Sequence, residues 1–372
     1  MNPALAFVKS TGCGRRWMLA FALLVGAASC PAAAAEASPE FIPAADVRIG
    51  FSDGLHVVRE PADGSVHFDR VLDVPGRGFR WDAPGARMRW CTDSPSVRVR
   101  LRYSPRHLGS SRNGIGFFQV DGERQPEWTF DRAAVEAADG WLTLPASGDG
   151  APHLYELILP YGDAVDLLGV EVSAAARWQA PEPRGAIRWV AFGDSVTHGF
   201  DASSVVSTYP FRVSEQLEWE AINLGIGGLG TRGGHGTFLG AIAADIVSLL
   251  IGVNDWQGGA ELERFRAEYA TLLAGLRQTN PTRPIVAITP LWVAPSWQPA
   301  QARFPLEAYR QVIREVVEAQ ADPHLRLVEG PSLVDHDPAW FDAVAVHPND
   351  AGFAKMAERL AVALAAALER NE

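Results

Sequence analysis

From residue 187 to the C-terminus, short apolar runs alternate with longer amphipathic stretches, and no other feature restricts the fold as much. The runs are 187–192, 221–224, 246–251, 285–289 and 325–328. The amphipathic stretches lie near 209–219, 261–279, 306–320 and 350–369. Short, mostly apolar runs of this kind suit strands buried on both faces. Strands joined by helical crossovers pair in parallel, with right-handed connections. Residues 187–372 therefore predict a three-layer α/β/α domain on a parallel sheet. Ligands in such sheets bind beyond the carboxyl ends of the strands.

Upstream the rhythm differs. Between residues 51 and 172 short alternating runs are broken by Gly, Pro, Asp and Asn. Val97-Arg98-Val99-Arg100-Leu101-Arg102-Tyr103 alternates apolar with basic residues, as a half-buried strand does. Phe117-Phe118-Gln119-Val120 runs into Asp121-Gly122, a hairpin-turn dipeptide. Residues 154–159 and 167–172 give two more strands, and no segment reads as a helix. An antiparallel, jelly-roll-like β-sandwich is expected over 36–178, followed by a linker at 179–186. A chain of 372 residues is long enough for two such cores.

The first 35 residues read as an export signal. Lys9, Arg15 and Arg16 precede an apolar stretch at 17–28, and Ala33-Ala34-Ala35 offers an A-x-A cleavage site. The apolar stretch falls short of the roughly 20 residues that span a bilayer. A periplasmic or secreted protein is expected, with no transmembrane segment in the mature chain. Attachment as a lipoprotein through Cys30 fits less well, because Ala27 is a weak match for a lipidation site. Cys13 also lies in the leader, so cleavage leaves Cys91 alone. That excludes an intramolecular disulfide and a cysteine metal cluster, and Cys91 reads as a small core residue. A net charge of −11 argues against a nucleic-acid partner.

Four blocks carry chemistry at the expected carboxyl ends of strands or just before the last helix. Gly193-Asp194-Ser195 sets a serine on a strand-to-helix turn, with its hydroxyl exposed and its amide available. Asp and Ser also suit a helix N-cap, so capping is the alternative reading. Asn223-Leu224-Gly225-Ile226-Gly227-Gly228 lets the backbone approach a ligand. Gly252-Val253-Asn254-Asp255 places a side-chain amide where it can donate to an oxyanion. His347, in His347-Pro348-Asn349-Asp350, can act as base and then acid near neutrality.

In this order and spacing the four blocks resemble the SGNH (GDSL-type) hydrolases. The resemblance implies Ser195 as nucleophile and His347 as its base. It also implies the Ser195 amide, the Gly228 amide and the Asn254 side chain as oxyanion donors. One position departs from the pattern. The family places an aspartate three residues before the histidine, where this chain has Val344; the nearest upstream acid is Asp342. Either Asp342 reaches Nδ1, or a backbone carbonyl orients the ring and Ser195 and His347 form a dyad. The sandwich ahead of the hydrolase domain resembles family 2 carbohydrate esterases, in which such dyads occur, and this implies an acetylated poly- or oligosaccharide substrate.

The expectation is a serine esterase that removes O-acetyl groups from a carbohydrate, as acetylxylan esterases do, without a cofactor. A short-chain lipase, arylesterase or acetyltransferase on the same site is the first alternative, and a non-catalytic carbohydrate-binding protein the second. Gly225, Gly227 and Gly230 also spell G-x-G-x-x-G, with Asp245 beyond. That fingerprint opens the first strand–helix unit of a dinucleotide domain, whereas here it closes the second strand, so no dinucleotide is expected. Trp256, Trp292 and Trp297 either stack on sugar or pack as partly buried rings. Asp194 accepts nearby amides, and His198 packs beside the serine turn. His235, His324 and His336 read as ordinary histidines, and no His, Asp or Glu spacing suits a metal.

Overall fold

The computed structural model describes residues 38–369 apart from 53, 73–78, 107–113 and 343–345. The expected leader, Cys13, Cys30 and Val344 lie outside the described residues. Among the described residues twelve strands come first: β1 (Pro39–Pro43), β2 (Gly50–Phe51), β3 (His56–Arg59), β4 (Val66–Asp69), β5 (Arg87–Thr92), β6 (Val97–Tyr103), β7 (Gly116–Val120), β8 (Thr129–Phe130), β9 (Trp141–Leu144), β10 (His153–Ile158), β11 (Val165–Ser173) and β12 (Trp178–Gln179). They form two antiparallel sheets. One runs β3-β4-β11-β6-β9 with β1 on β11, and the other β12-β5-β10-β7-β8 with β2 on β5.

Along β6 the valines, Leu101 and Tyr103 are buried, while Arg98 and Arg100 are half-buried and Arg102 is exposed. On neighbouring strands of the second sheet, the cross-strand pair Trp90 and Tyr155 stacks at 5.6 Å within the sandwich core. Cys91 corrects the sequence reading: it is half-buried rather than a core residue. On β5 the flanking Trp90 and Thr92 point inward, and strand alternation turns Cys91 the other way. Gln179, placed in the linker above, pairs with Cys91 in the sheet. One helix here escaped the sequence reading, α1 (Arg132–Ala137), capped by the Asp131 carboxylate on the Ala134 amide at 2.7 Å. It buries only Val135, so it leaves no apolar period to detect.

The second half is built on a parallel sheet ordered β14-β13-β15-β16-β17, with β13 (Arg188–Gly193), β14 (Glu220–Gly225), β15 (Ile246–Leu250), β16 (Ile285–Ile288) and β17 (Leu325–Val328). The helices are α2 (Ser195–His198), α3 (Tyr209–Leu217), α4 (His235–Ala241), α5 (Val253–Gln257), α6 (Leu262–Thr279), α7 (Leu306–Gln320) and α8 (Asp350–Glu369). Apolar residues of α3 and α8 form one core with the sheet, and those of α4, α6 and α7 form the other. The chain is thus a mixed fold: an antiparallel sandwich followed by a three-layer α/β/α domain. No helix among the described residues is long and apolar enough to cross a membrane.

The two halves share apolar cores. Phe117, Ile158 and Tyr161 from the sandwich join the core beneath α3 and α8. Phe79, from a short 3-10 turn at Phe79–Trp81, joins the core on the other side of the sheet.

Candidate active site

Ser195 lies just beyond the end of β13. Gly193 closes that strand against α2 and β15, where a Cβ would lie 2.2 Å from Thr197 Oγ1 and 2.5 Å from the Leu250 carbonyl. Only glycine lets the chain turn there. Asp194 follows as the buried cap of α2, its Oδ1 accepting the Val196 amide at 3.0 Å. Burial raises its pKa to about 7. The capping reading therefore describes Asp194, while Ser195 is the first helical residue, whose amide has no intrahelical acceptor.

Ser195 Oγ lies 2.8 Å from His347 Nε2, and His347 Nδ1 lies 2.7 Å from Asp201 Oδ2. With the ring neutral, Nδ1–H donates to Asp201 and Nε2 accepts the serine hydroxyl. Asp342 Oδ2 stands 3.6 Å from Nδ1, beyond hydrogen-bond length. Its other oxygen accepts the Val346 amide at 3.0 Å and the His347 amide at 3.4 Å, so Asp342 anchors the backbone that carries the ring. Burial of the imidazole disfavours its cation, but the hydrogen bond to Asp201 and the negative charges of Asp201 and Asp342 outweigh that and raise its pKa to about 9.

Sequence reasoning missed Asp201. The search for an orienting group looked upstream of His347 along the chain, whereas the carboxylate comes from the serine's own loop. Gly199 ends α2 with φ 112°, and Asp201 then adopts φ 67°, a left-handed conformation that few non-glycine residues take. The loop is tied down by Asp350 at the start of α8, which accepts the Ser203 amide at 2.6 Å. An acid six positions beyond a nucleophile turn was the available signal. The expected dyad oriented by a backbone carbonyl is replaced by a carboxylate contact, and Asp342 takes the supporting place.

The donor groups come from neighbouring strand ends. Beyond β14, Gly228 is exposed with φ 77°, and its amide has no hydrogen-bond partner among the described residues. Asn254 lies in α5, after Gly252 with φ 123°, and its Nδ2 donates to the Leu229 carbonyl at 3.1 Å. A side-chain amide has two N–H groups, so the second is left for a ligand. Asp255 clamps the same loops by accepting the Thr231 amide at 2.9 Å and its hydroxyl at 2.8 Å. Because β14, β13 and β15 are adjacent, Gly228, Ser195 and Asn254 leave one edge of the sheet side by side.

The first two of the G-x-G-x-x-G glycines have packing roles. A Cβ on Gly225 would lie 2.0 Å from the His198 amide, and one on Gly227 would lie 2.8 Å from the Phe79 ring. The next helix, α4, starts only at His235, so the turn does not open a helix as the dinucleotide fingerprint does.

Trp256 is buried, with Nε1–H donating to the Phe304 carbonyl at 3.0 Å and its ring edge-on to Trp297. Trp292 is half-buried and stacks on His336 at 5.8 Å. With Trp297 and Arg310 the three tryptophans line a cleft of about 290 Å³. His198 packs beside the serine turn and pairs with Asp82 at 3.1 Å. His235 is half-buried against Phe192, His324 is half-buried, and His336 is exposed. Asp201, Asp342 and His347 are the one group among the described residues whose ligand atoms could meet a metal, all within 4.8 Å of one another. The short Nδ1–Oδ2 contact already holds a proton between two of them, which a cation would have to displace.

Residues 191–355 match the model of the GDSL-like lipase/acylhydrolase family. No curated protein matches the chain. Among solved structures it resembles the salicylyl-acyltransferase SsfX3 from a tetracycline biosynthetic pathway, at 21% identity and a TM-score of 0.72, covering 89% of this chain and 98% of that one. It also resembles a family two carbohydrate esterase from Cellvibrio japonicus, at 16% identity and a TM-score of 0.65, covering 90% and 100%. A family two carbohydrate esterase from Clostridium thermocellum in complex with cellohexaose aligns at 16% identity and a TM-score of 0.63, covering 86% and 99%. At these identities the likeness is one of fold, and it extends over both halves of the chain.

Proposed function

We propose that the protein is an exported serine esterase that removes O-acetyl groups from a carbohydrate. The observation that carries this reading is the continuous contact from Ser195 Oγ through the His347 ring to Asp201, at 2.8 and 2.7 Å. Neutral His347 takes the Ser195 proton as Oγ attacks the acetyl carbonyl. The oxyanion accepts hydrogen bonds from the Ser195 and Gly228 amides and Asn254 Nδ2. As the intermediate collapses, the imidazolium returns its proton to the departing sugar oxygen, leaving acetyl-Ser195. Water, deprotonated by His347, then attacks the acetyl carbon and releases acetate, and Ser195 regains its proton. Asp201 keeps Nδ1 protonated and stabilises the imidazolium.

The carbohydrate assignment draws on the fold shared with family two carbohydrate esterases, one of them in complex with cellohexaose. The tryptophan cleft offers apolar ring surface of the kind sugars use. Acetate release from a panel of acetylated polysaccharides tests the reading, with p-nitrophenyl esters of increasing chain length beside it. Release from one polymer, absent with Ser195→Ala, supports it. No release from any polymer, with preference for long acyl chains, points instead to a lipase. The likeness to a salicylyl-acyltransferase motivates a second reading, transfer of the acyl group to an alcohol. Added glycerol or glucose would then divert acyl groups from water into new esters.

A further inference from the structure

Behind the donor turn lies a buried cation that the proposed reaction does not use. Arg70 follows β4 in the sandwich, and only 2% of it is exposed. Its Nη1 donates to the Gly225 carbonyl at 2.7 Å and reaches the Asn223 carbonyl at 3.4 Å. Its Nε donates to the Phe79 carbonyl at 3.0 Å, and Nη2 bonds the same oxygen. One guanidinium fork thus joins the 3-10 turn of the sandwich to the last residues of β14. Those residues are also held from the catalytic side: Asn223 Nδ2 donates to the Thr197 carbonyl at 2.9 Å, and its Oδ1 accepts the Gly225 amide at 2.9 Å. The Phe79 ring lies against the next link of the turn, at Gly227.

We infer that Arg70 is a positioning residue for the oxyanion site: it fixes the Gly225 peptide, and through it the direction in which the Gly228 amide points. This rests on the esterase reading above. The physical reason is reach. The turn from Gly225 to Gly228 carries three glycines, so its backbone has little stiffness of its own. A preorganised donor lowers a barrier only if it needs no reorientation during the reaction. A guanidinium can hold carbonyls on both sides at once, whereas an ammonium is a single point with a different reach.

The test compares wild type, Ser195→Ala, Arg70→Lys and Arg70→Met with p-nitrophenyl acetate. Active sites are counted by intact mass after exhaustive labelling with a fluorophosphonate. The inference expects kcat per labelled site to fall by about 10- to 100-fold in both Arg70 variants, up to the loss seen on deleting an oxyanion donor. KM should stay near wild type, as when an interaction belongs to the transition state alone. Leu101→Ala, in the sandwich core, controls for lost stability: it should lower Tm and leave kcat per labelled site unchanged. Arg70 variants with a lowered Tm but wild-type kcat per labelled site would reduce Arg70 to a structural residue. If wild type neither turns over nor labels at Ser195, the esterase reading itself falls, and this inference with it. Wild-type activity that Ser195→Ala abolishes, beside fully active Arg70 variants, removes this inference alone.

Discussion

Two layers of the molecule meet behind the site and contribute different things to it. The parallel sheet presents Ser195, Gly228 and Asn254 from adjacent strand ends, with His347 and Asp201 on loops at the same rim. The sandwich supplies buried contacts to the backbone and helix behind those groups. Arg70 holds the Gly225 carbonyl, Asp82 pairs with His198 at the end of α2, and the Tyr161 hydroxyl donates to the Ala202 carbonyl at 2.9 Å, next to Asp201. Side chains that react must be free to face a substrate, whereas the backbone that aims them can be held from behind by groups shielded from water. Fused cores then make the sandwich part of the enzyme's frame.

If this division is right, substitutions on the rim should cost the most rate; behind it, Arg70 should cost a smaller part of the rate through the aim of the Gly228 amide, and the other contacts should cost stability first. Ser195→Ala or His347→Ala is expected to lower kcat for p-nitrophenyl acetate by about 10⁶-fold, the size of losing a nucleophile or its base. Retained turnover in purified Ser195→Ala would break the comparison at once. Asp201→Asn should cost about 10³- to 10⁴-fold, as when a triad carboxylate can no longer hold the ring in its reactive tautomer. Asp342→Asn should cost no more than about tenfold, the weight of one pKa unit. The reverse ranking would return the orienting role to Asp342.

Asn254→Ala comes next, with about 10²- to 10³-fold lost from kcat and KM little changed, because its donor acts on the oxyanion. The pH profile sharpens the picture further. His347 must be neutral to act as base, and its pKa is raised to about 9, so kcat/KM should climb with pH and level off only above that value. Asp201→Asn removes an anion that favours the imidazolium, so the rising limb should move to lower pH. An unmoved limb would mean that the carboxylate does not sense the ring's charge. Smallest is Tyr161→Phe, which should cost about 1 kcal/mol of stability for one lost hydrogen bond, measured by urea unfolding, with kcat far less affected than by any rim variant.

The same two layers differed in how far the sequence revealed them. Five strands of the parallel sheet were visible because each centres on a short, mostly apolar run between amphipathic stretches, and helices of fifteen residues or more such as α6, α7 and α8 carry a full amphipathic period. The short α2, α4 and α5 hold too few turns to show one. In the sandwich, β6 was legible through its alternating arginines, whereas two-residue strands such as β2 and β8 leave no pattern. Ser195, Gly228, Asn254 and His347 were found because each sits in a compact block at a strand end or a helix start. Asp201 and Arg70 were not, because their roles come from a left-handed backbone turn and from a contact between residues 155 positions apart.

The claim on which the account turns is that Ser195 attacks because His347, held by Asp201, removes its proton. Intact mass spectrometry during fluorophosphonate labelling tests it most directly. The account predicts one adduct per chain, mapped to Ser195 and forming far more slowly in His347→Ala and Asp201→Asn. An adduct on another residue, or labelling of Ser195 at the same rate without the imidazole, would contradict it.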